Sequence, residues 1–287
     1  MAPQLGKIGA WLNPAHDDEA RLKYAVEAEA LGYGTVWLGV GVTPVAGLDL
    51  VERVLDATES ITVATAIVNM WTNPAAEVAR SYRRVVARHP DRFLLGVGIG
   101  HPESITSYQR PMDKMVEYLG QLDEGGVPAD RRVLAALGPK ALALAEARAA
   151  GSHPYLTVPE HTRRARRALG PARLLVPEQT VVVDPDPVIA RRSARYFLTN
   201  PYLSLRNYVN NLLSLGFTEA DVAEDGSDRL VDALVPHGSP ESILARSVEH
   251  LAAGADHVGI QVLTEGWADP MPGYRALAEV VRELPLT

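Results

Sequence analysis

The chain contains no cysteine among its 287 residues. That absence excludes disulfides, thiolate zinc sites, iron–sulfur clusters and a cysteine nucleophile. It fits a reducing compartment, and a cytoplasmic location is the expectation. There is no excess of positive charge either: 28 Lys and Arg stand against 35 Asp and Glu, a net charge of −7 and a pI near 5.6. Binding to a phosphate backbone needs a concentrated basic face, so nucleic acid is not an expected partner. A small anionic ligand stays compatible, because a local cluster can oppose the global sign. No window approaches roughly 18 uninterrupted apolar residues, so no membrane span is expected. The opening MAPQLGKIGAWLN lacks a long apolar core behind a basic start, so no secretory signal is expected either. No HExxH, P-loop, GxSxG or paired-carboxylate pattern occurs. His16, His89, His153, His161, His237 and His250 lack a metal-ligand spacing, and no metal is expected.

What is present is a rhythm. The 47% hydrophobic content can bury one large core, and the chain reads as one domain over residues 1–287. Short β-branched apolar runs alternate with longer alanine-rich amphipathic stretches, the pattern of repeated βα units around a parallel sheet. The expected strands are Lys7–Asn13, Thr35–Val40, Ile61–Asn69, Phe93–Gly100, Arg132–Gly138, His153–Val158, Gln179–Asp184 and His257–Leu263. Helices between them are marked by starts and stops. Asp17 and Asp18 suit a helix start and Gly32 its left-handed end. Pro74, Pro139 and Pro159 suit first helical turns, where the missing N–H does no harm. Eight such units in a chain of this size favour a closed (β/α)8 barrel over an open sheet. The strands are nearly continuous in apolar residues, as strands covered on both faces are. Tyr202–Leu234, mostly helical and without a strand, reads as an insertion between the seventh and eighth strands.

In such a barrel the chemistry sits at the C-terminal ends of the strands. Those positions hold Trp11 and Asn13, Gly39 and Gly41, Asn69 and Trp71, Gly98, Gly100 and His101, then Gly138, Thr157, Asp184 and Gln261. The segment GVGIGH, Gly96–His101, carries three glycines at alternate positions, which let a flat ligand approach a backbone or merely ease barrel packing. It does not make a dinucleotide-binding GxGxxG. His101 ends the strand, where an imidazole could donate a hydrogen bond or a proton near neutral pH, or serve only as a surface group. LGPK (Leu137–Lys140) and TVPE (Thr157–Glu160) each end a strand and start a helix with proline. Free N–H groups and the helix dipole make such a terminus an anion site, although ordinary proline capping leaves the same pattern. The basic run Thr162–Arg167 reads as a solvated helix face, or as a partner for an acidic ligand tail.

Five segments together resemble the luciferase-like monooxygenase superfamily, in particular its actinobacterial, coenzyme F420-dependent branch. They are Ala28–Leu38, Ile61–Tyr82, Asp91–His101, Leu134–Ala145 and Ala253–Leu263. The resemblance implies a luciferase-like (β/α)8 TIM barrel that binds F420 or FMN and commonly forms a homodimer. It implies a non-prolyl cis peptide near Ala66–Ile67 behind the deazaflavin ring, beside Asn69. Phosphate contacts would fall at Leu137, Gly138 and Pro139 and at Thr157 and Val158, with Gly98 and Gly100 lining the same rim. Two departures stand out. Gly39 and Val40 occupy the place of the Asp-His pair of the branch's sugar-phosphate dehydrogenases, and His101 follows the glycines where those enzymes place a glutamate. A glucose-6-phosphate dehydrogenase is therefore not expected. The expectation is an F420-dependent oxidoreductase passing a hydride between deazaflavin and a small organic substrate, with His101 as catalytic candidate. The alternatives are an FMN-dependent monooxygenase using O2 and a flavin-binding barrel without turnover.

Overall fold

Every strand runs parallel to its neighbours, which obliges the chain to cross over after each one. The computed structural model describes residues 2–40, 44, 47–100 and 110–283. His101 and Gly41 lie outside them.

In chain order come β1 (Ile8–Leu12), α1 (Asp18–Leu31), β2 (Thr35–Gly39), α2 (Asp49–Ala57), β3 (Thr62–Ala66), β4 (Val68–Asn69) and α3 (Ala75–Arg88). Then follow β5 (Phe93–Gly98), α4 (Pro111–Glu124), β6 (Arg132–Leu134), α5 (Pro139–Arg148), β7 (Gly151–Ser152) and α6 (Pro159–Leu169). After β8 (Leu174–Leu175) and β9 (Glu178–Val181) come α7 (Pro187–Thr199), α8 (Arg206–Ser214), α9 (Glu219–Val222), α10 (Asp228–Leu234) and α11 (Pro240–Ala252). β10 (Val258–Val262) and α12 (Met271–Glu283) complete the described chain.

The ten strands make eight staves. β3 and β4 are one stave interrupted at Ile67, and β8 and β9 are one stave interrupted at Val176–Pro177. That last stave closes the barrel. On one side Leu174, Val176 and Glu178 donate N–H bonds to the carbonyls of Ala150, Ser152 and Pro154 at 2.8, 3.0 and 2.9 Å. On the other, Leu175, Pro177 and Val181 accept from Asp256, Gly259 and Leu263 at 2.9, 3.0 and 2.9 Å. A closed sheet leaves no edge to be paired by another chain. The fold is thus the expected luciferase-like (β/α)8 barrel, with α8–α10 as the helical insertion between the seventh and eighth staves.

Local chemistry explains the element ends. Asp17 caps α1 by accepting from Ala20 N at 2.8 Å, and Gly32 closes it at φ 91°. α4, α5, α6, α7 and α11 all carry proline in their first turn. Two staves differ from the expected ranges. His153–Val158 is not strand; the sixth stave is Gly151–Ser152, and the following residues cross the barrel mouth as a loop. The seventh begins at Leu174 rather than Gln179.

The lumen is packed by Trp11, Trp37, Ala64, Leu94, Val133 and Val176. Two histidines share it, each buried: His153 lies flat on Trp37, ring centroids 4.2 Å apart. Indole N–H can only donate. Trp11 donates to His153 Nε2 at 3.3 Å and Trp37 to His257 Nε2 at 2.9 Å, so the opposite nitrogens carry the protons. Those protons meet the carbonyls of Val176 and Gly6 at 2.6 and 2.8 Å. Both imidazoles are held neutral, and burial pushes each down to about 4. No helix among the described residues is long and apolar enough to cross a membrane.

Candidate functional site

Adjacent parallel staves put their C-terminal ends on one rim. The register runs Asn69 opposite Gly98, Val97 opposite Leu134, and Leu134 opposite Ser152. The sequence-derived residues Ala66, Ile67, Asn69, Gly98, Gly100, Leu137, Gly138, Pro139, Thr157 and Val158 therefore follow one another along a single arc, over the third to sixth staves. The Ala66–Ile67 peptide is cis, at the position the resemblance indicated.

At the start of the arc Asn69 is buried and fixed by its own turn. Its Oδ1 accepts from Trp71 N at 2.9 Å, and its carbonyl accepts from Asn73 N and Nδ2 at 3.1 and 2.9 Å. The glycines beside it have packing reasons. A Cβ on Gly96 would be driven into the Thr65 carbonyl oxygen, and Gly100, at φ +60°, leaves no room for one against the Asn69 amide. A Cβ on Gly98 would come within 2.8 Å of the Ala135 methyl. Their alternation is a fit between staves.

At the other end of the arc two helices begin side by side. Gly138 is the N-cap of α5 and Val158 of α6, and neither helix has a side-chain cap. Proline, which has no N–H, holds the first position of each helix, and in α6 the His161 N–H already bonds to the Val158 carbonyl at 2.9 Å; the other N–H groups of the first turns stand at the positive ends of two dipoles. His161, in the first turn of α6, ties the helices together through Nε2 and the Leu137 carbonyl at 2.9 Å. Burial lowers its affinity for a proton. The Thr157 side chain is buried, and its Oγ1 has no hydrogen-bond partner among the described residues. A buried hydroxyl without a partner costs about 1–3 kcal/mol. Beside it, a Cβ on Gly138 would meet nothing within 4 Å. An anionic group with several oxygens fits this corner.

Three of the four arginines in the basic run of α6 bond to the protein itself, and Arg167 is exposed. Arg163 and Arg164 pair with Glu160, Arg164 also donates to the Ser214 carbonyl at 2.8 Å, and Arg166 binds Asp256 at 2.6 Å. A separate cavity of about 300 Å³ lies between α7 and residues 263–267, walled by Arg192, Tyr196, Phe197, Leu263 and Trp267. None of the arc residues lines it. Among the described residues no three His, Asp or Glu side chains gather to hold a metal ion.

On the opposite side of the mouth sequence reasoning named Asn13 and Gln261 as strand ends but missed Tyr155 and Glu178. Glu178 is fully buried, and its Oε2 accepts from Leu156 N at 3.0 Å while Oε1 accepts from the Thr180 hydroxyl. Burial pushes its carboxyl up to about 7, against the pull of those two donors. Gln261 Nε2 reaches Thr180 Oγ1 and the Tyr155 hydroxyl, both at 3.0 Å, and Gln261 Oε1 accepts from Asn13 Nδ2 at 2.9 Å. The signal was there in VPEQT: a carboxylic acid inside an apolar stave, one residue ahead of where the strand was expected to begin.

Barrel and rim arc together make a parallel (β/α)8 barrel with one candidate ligand rim at the C-terminal ends of its staves. Residues 5–124 match the family model of the luciferase-like monooxygenases. Three solved structures share the fold across nearly the whole chain. An F420-dependent secondary alcohol dehydrogenase, in complex with an F420-acetone adduct, is 16% identical, with a TM-score of 0.76 and 99% of each chain covered. The coenzyme F420-dependent tetrahydromethanopterin reductase from Methanopyrus kandleri is 14% identical, with a TM-score of 0.70, covering 98% of this chain and 99% of that one. The oxygenating constituent of 3,6-diketocamphane monooxygenase from Pseudomonas putida, in complex with FMN, is 14% identical, with a TM-score of 0.72, covering 97% and 98%. At these identities the likeness establishes the fold alone. No curated protein matches the sequence.

Proposed function

We propose that the protein is an oxidoreductase that binds coenzyme F420 along this arc and acts on a small organic substrate at the barrel mouth. The observation that carries the reading is the unpartnered Thr157 hydroxyl, buried beside two uncapped helix N-termini with open space at Gly138. Leu137, Gly138, Pro139, Thr157 and Val158 would hold the phosphate, Ala66, Ile67 and Asn69 would flank the ring, and Gly98 and Gly100 would complete the rim between them. When bound, a deazaflavin supplies a hydride donor or acceptor carbon. The chain's own part is positioning: backbone N–H groups fix the anionic end, and the closed lumen below keeps water away from the ring's back face. His101 belongs to the same proposal as proton donor or orienting group. F420 is preferred over FMN on the resemblance of the five sequence segments to the F420-dependent branch.

Titrating the purified protein with F420 and with FMN, following each chromophore, tests this directly. F420 is expected to bind, and Thr157→Val to weaken binding by about tenfold, the worth of one hydrogen bond to a charged group. Failure of both cofactors to bind, or an unchanged Thr157→Val variant, refutes it. The family match and the FMN-bound relative favour a second reading, an FMN-dependent monooxygenase. In that case FMN binds, and the protein consumes oxygen when given reduced FMN. A homodimer in the cytoplasm belongs to the first reading, and light scattering in solution tests the dimer.

A further inference from the structure

We propose that the Tyr155 hydroxyl is the hydrogen-bond donor for the oxygen of a small neutral carbonyl substrate, aimed by a fixed amide pair (Asn13 and Gln261) and held in place by Glu178. The proposal rests on the reading above for placing a reaction at the mouth, and it names the substrate class.

The argument is one of hydrogen-bond direction. A backbone N–H can only donate, and Ala15 N donates to Asn13 Oδ1 at 2.8 Å. Asn13 Nδ2 is therefore the end that faces Gln261, and it meets Oε1 at 2.9 Å. That orients the Gln261 amide, so its Nε2 donates at 3.0 Å to both Thr180 Oγ1 and the Tyr155 oxygen. Tyr155 is thus an acceptor from Gln261, and its own proton has no short acceptor among the described residues. The Gln261 Oε1 is 3.5 Å away and already engaged, and the Tyr202 hydroxyl stands at 3.3 Å. Hydroxyl pairs bond best near 2.7–2.8 Å.

The phenol is also well placed and stays protonated. Burial raises its pKa well above the usual 10, with Tyr202 and Glu178 adding to the shift. The ring is half-buried and tilted against Trp11, centroids 5.4 Å apart. Its backbone is set by the next residue: Leu156 sits at φ 54°, a conformation a leucine adopts only when held. The holder is Glu178, whose Oε2 accepts from Leu156 N at 3.0 Å. The groups that bond the hydroxyl, Gln261 and Tyr202, are uncharged, and the titratable group beside them, Glu178, is an acid. Such a setting receives a neutral carbonyl and gives an anionic substrate no counter-charge.

Saturation-transfer NMR titrations with cyclohexanone and with methylenecyclohexane, its oxygen-free shape match, test the proposal. Wild-type protein is expected to prefer the ketone by about tenfold, one neutral hydrogen bond at the upper end of its range. Tyr155→Phe is expected to bring that ratio to about one. Because both probes share the same apolar contacts, the ratio is insensitive to partial loss of folded protein. Glu178→Gln keeps an oxygen for Leu156 N and is expected to retain the preference, whereas Glu178→Leu is expected to lose it. Equal binding of the two probes by wild type, or a preference that survives Tyr155→Phe or Glu178→Leu, overturns the proposal. The cofactor titrations separate the two claims. Tyr155→Phe is expected to bind F420 as wild type does, and a wild-type protein that binds neither cofactor yet prefers the ketone refutes the functional reading alone.

Discussion

Replacing Glu178 by Gln should change how stability depends on pH, and the sign follows from the structure. In the folded protein burial pushes the Glu178 carboxyl from 4.5 up to about 7. Below pH 4.5 the acid is protonated in both states and contributes no difference. As pH rises from there, the unfolded chain ionises while the folded one keeps its proton, and the folded state loses ground until about pH 7, where the loss levels off. A shift of this size corresponds to about 3 kcal/mol in total, at roughly 1.36 kcal/mol per unit. Between pH 5 and pH 8 the same linkage gives a change of about 2–3 kcal/mol. Glutamine has no proton to lose, so the variant escapes it. Urea unfolding followed by tryptophan fluorescence, run at pH 5 and pH 8 on both proteins, isolates the effect as a difference of differences. Wild type should lose about 2–3 kcal/mol relative to Glu178→Gln across that interval. All other titrating groups cancel, and any fixed effect of the amide appears equally at both pH values. A wild-type-minus-variant difference that is flat from pH 5 to pH 8 would show that the carboxyl is not shifted, and the account of the mouth would lose its protonated acid.

Acid should open the lumen. His153 and His257 are both held down to about 4 against an ordinary 6.5, so their contribution is intact above pH 6.5 and is lost as pH falls towards 4. Protonation also removes the acceptors of Trp11 and Trp37, and indole fluorescence should report unfolding in that window; unchanged emission down to pH 3.5 contradicts this. Gly96→Ala should cost several kcal/mol or prevent folding, since the new methyl would strike the Thr65 carbonyl oxygen. Gly138→Ala, with nothing within 4 Å of its Cβ, should stay within about 1 kcal/mol of wild type in thermal melting while weakening cofactor binding. Equal stability of the two alanine variants would refute the packing account of the fourth-stave glycines.

The barrel was legible because its marks are local and repeated: apolar runs of strand length, proline-started helices and a strandless stretch between the last two staves. The arc was legible because parallel staves force their C-terminal ends together, so a string of positions became a neighbourhood without knowledge of any contact. The sixth stave was misplaced for a physical reason. HPYLTV has the composition of a strand, but strand preference records a fit to a half-buried pleated surface, and these residues find their partners instead at the mouth, with Leu156 at a positive φ. The true stave, Gly151–Ser152, is marked by glycine, because any Cβ there would collide with Leu174 backbone. Glu178 was hidden by the same kind of error, since a strand taken to begin at Gln179 leaves its acid in a loop. The Gln261–Asn13–Tyr155 relation joins residues more than 100 positions apart through side-chain amides, and no spacing rule reaches that far.

The lumen beneath the mouth holds two imidazoles and a carboxylic acid, and all three are in their neutral forms through the mildly acidic range. The histidines are neutral because indole N–H groups require an acceptor, and the acid because its surroundings disfavour charge. With the floor electrically quiet, the N-termini of α5 and α6 contribute their dipoles on the arc side, together with Lys140 and Glu160 in their first turns. That asymmetry separates two kinds of guest. On the proposed reading a phosphate would be drawn to the arc, where the dipoles and the Thr157 hydroxyl converge, while the opposite wall would offer an oriented neutral donor at Tyr155. A charged floor would blur the distinction by attracting or repelling both guests alike. The buried titratable groups thus act by being un-ionised, and their neutrality gives the mouth two distinct ends.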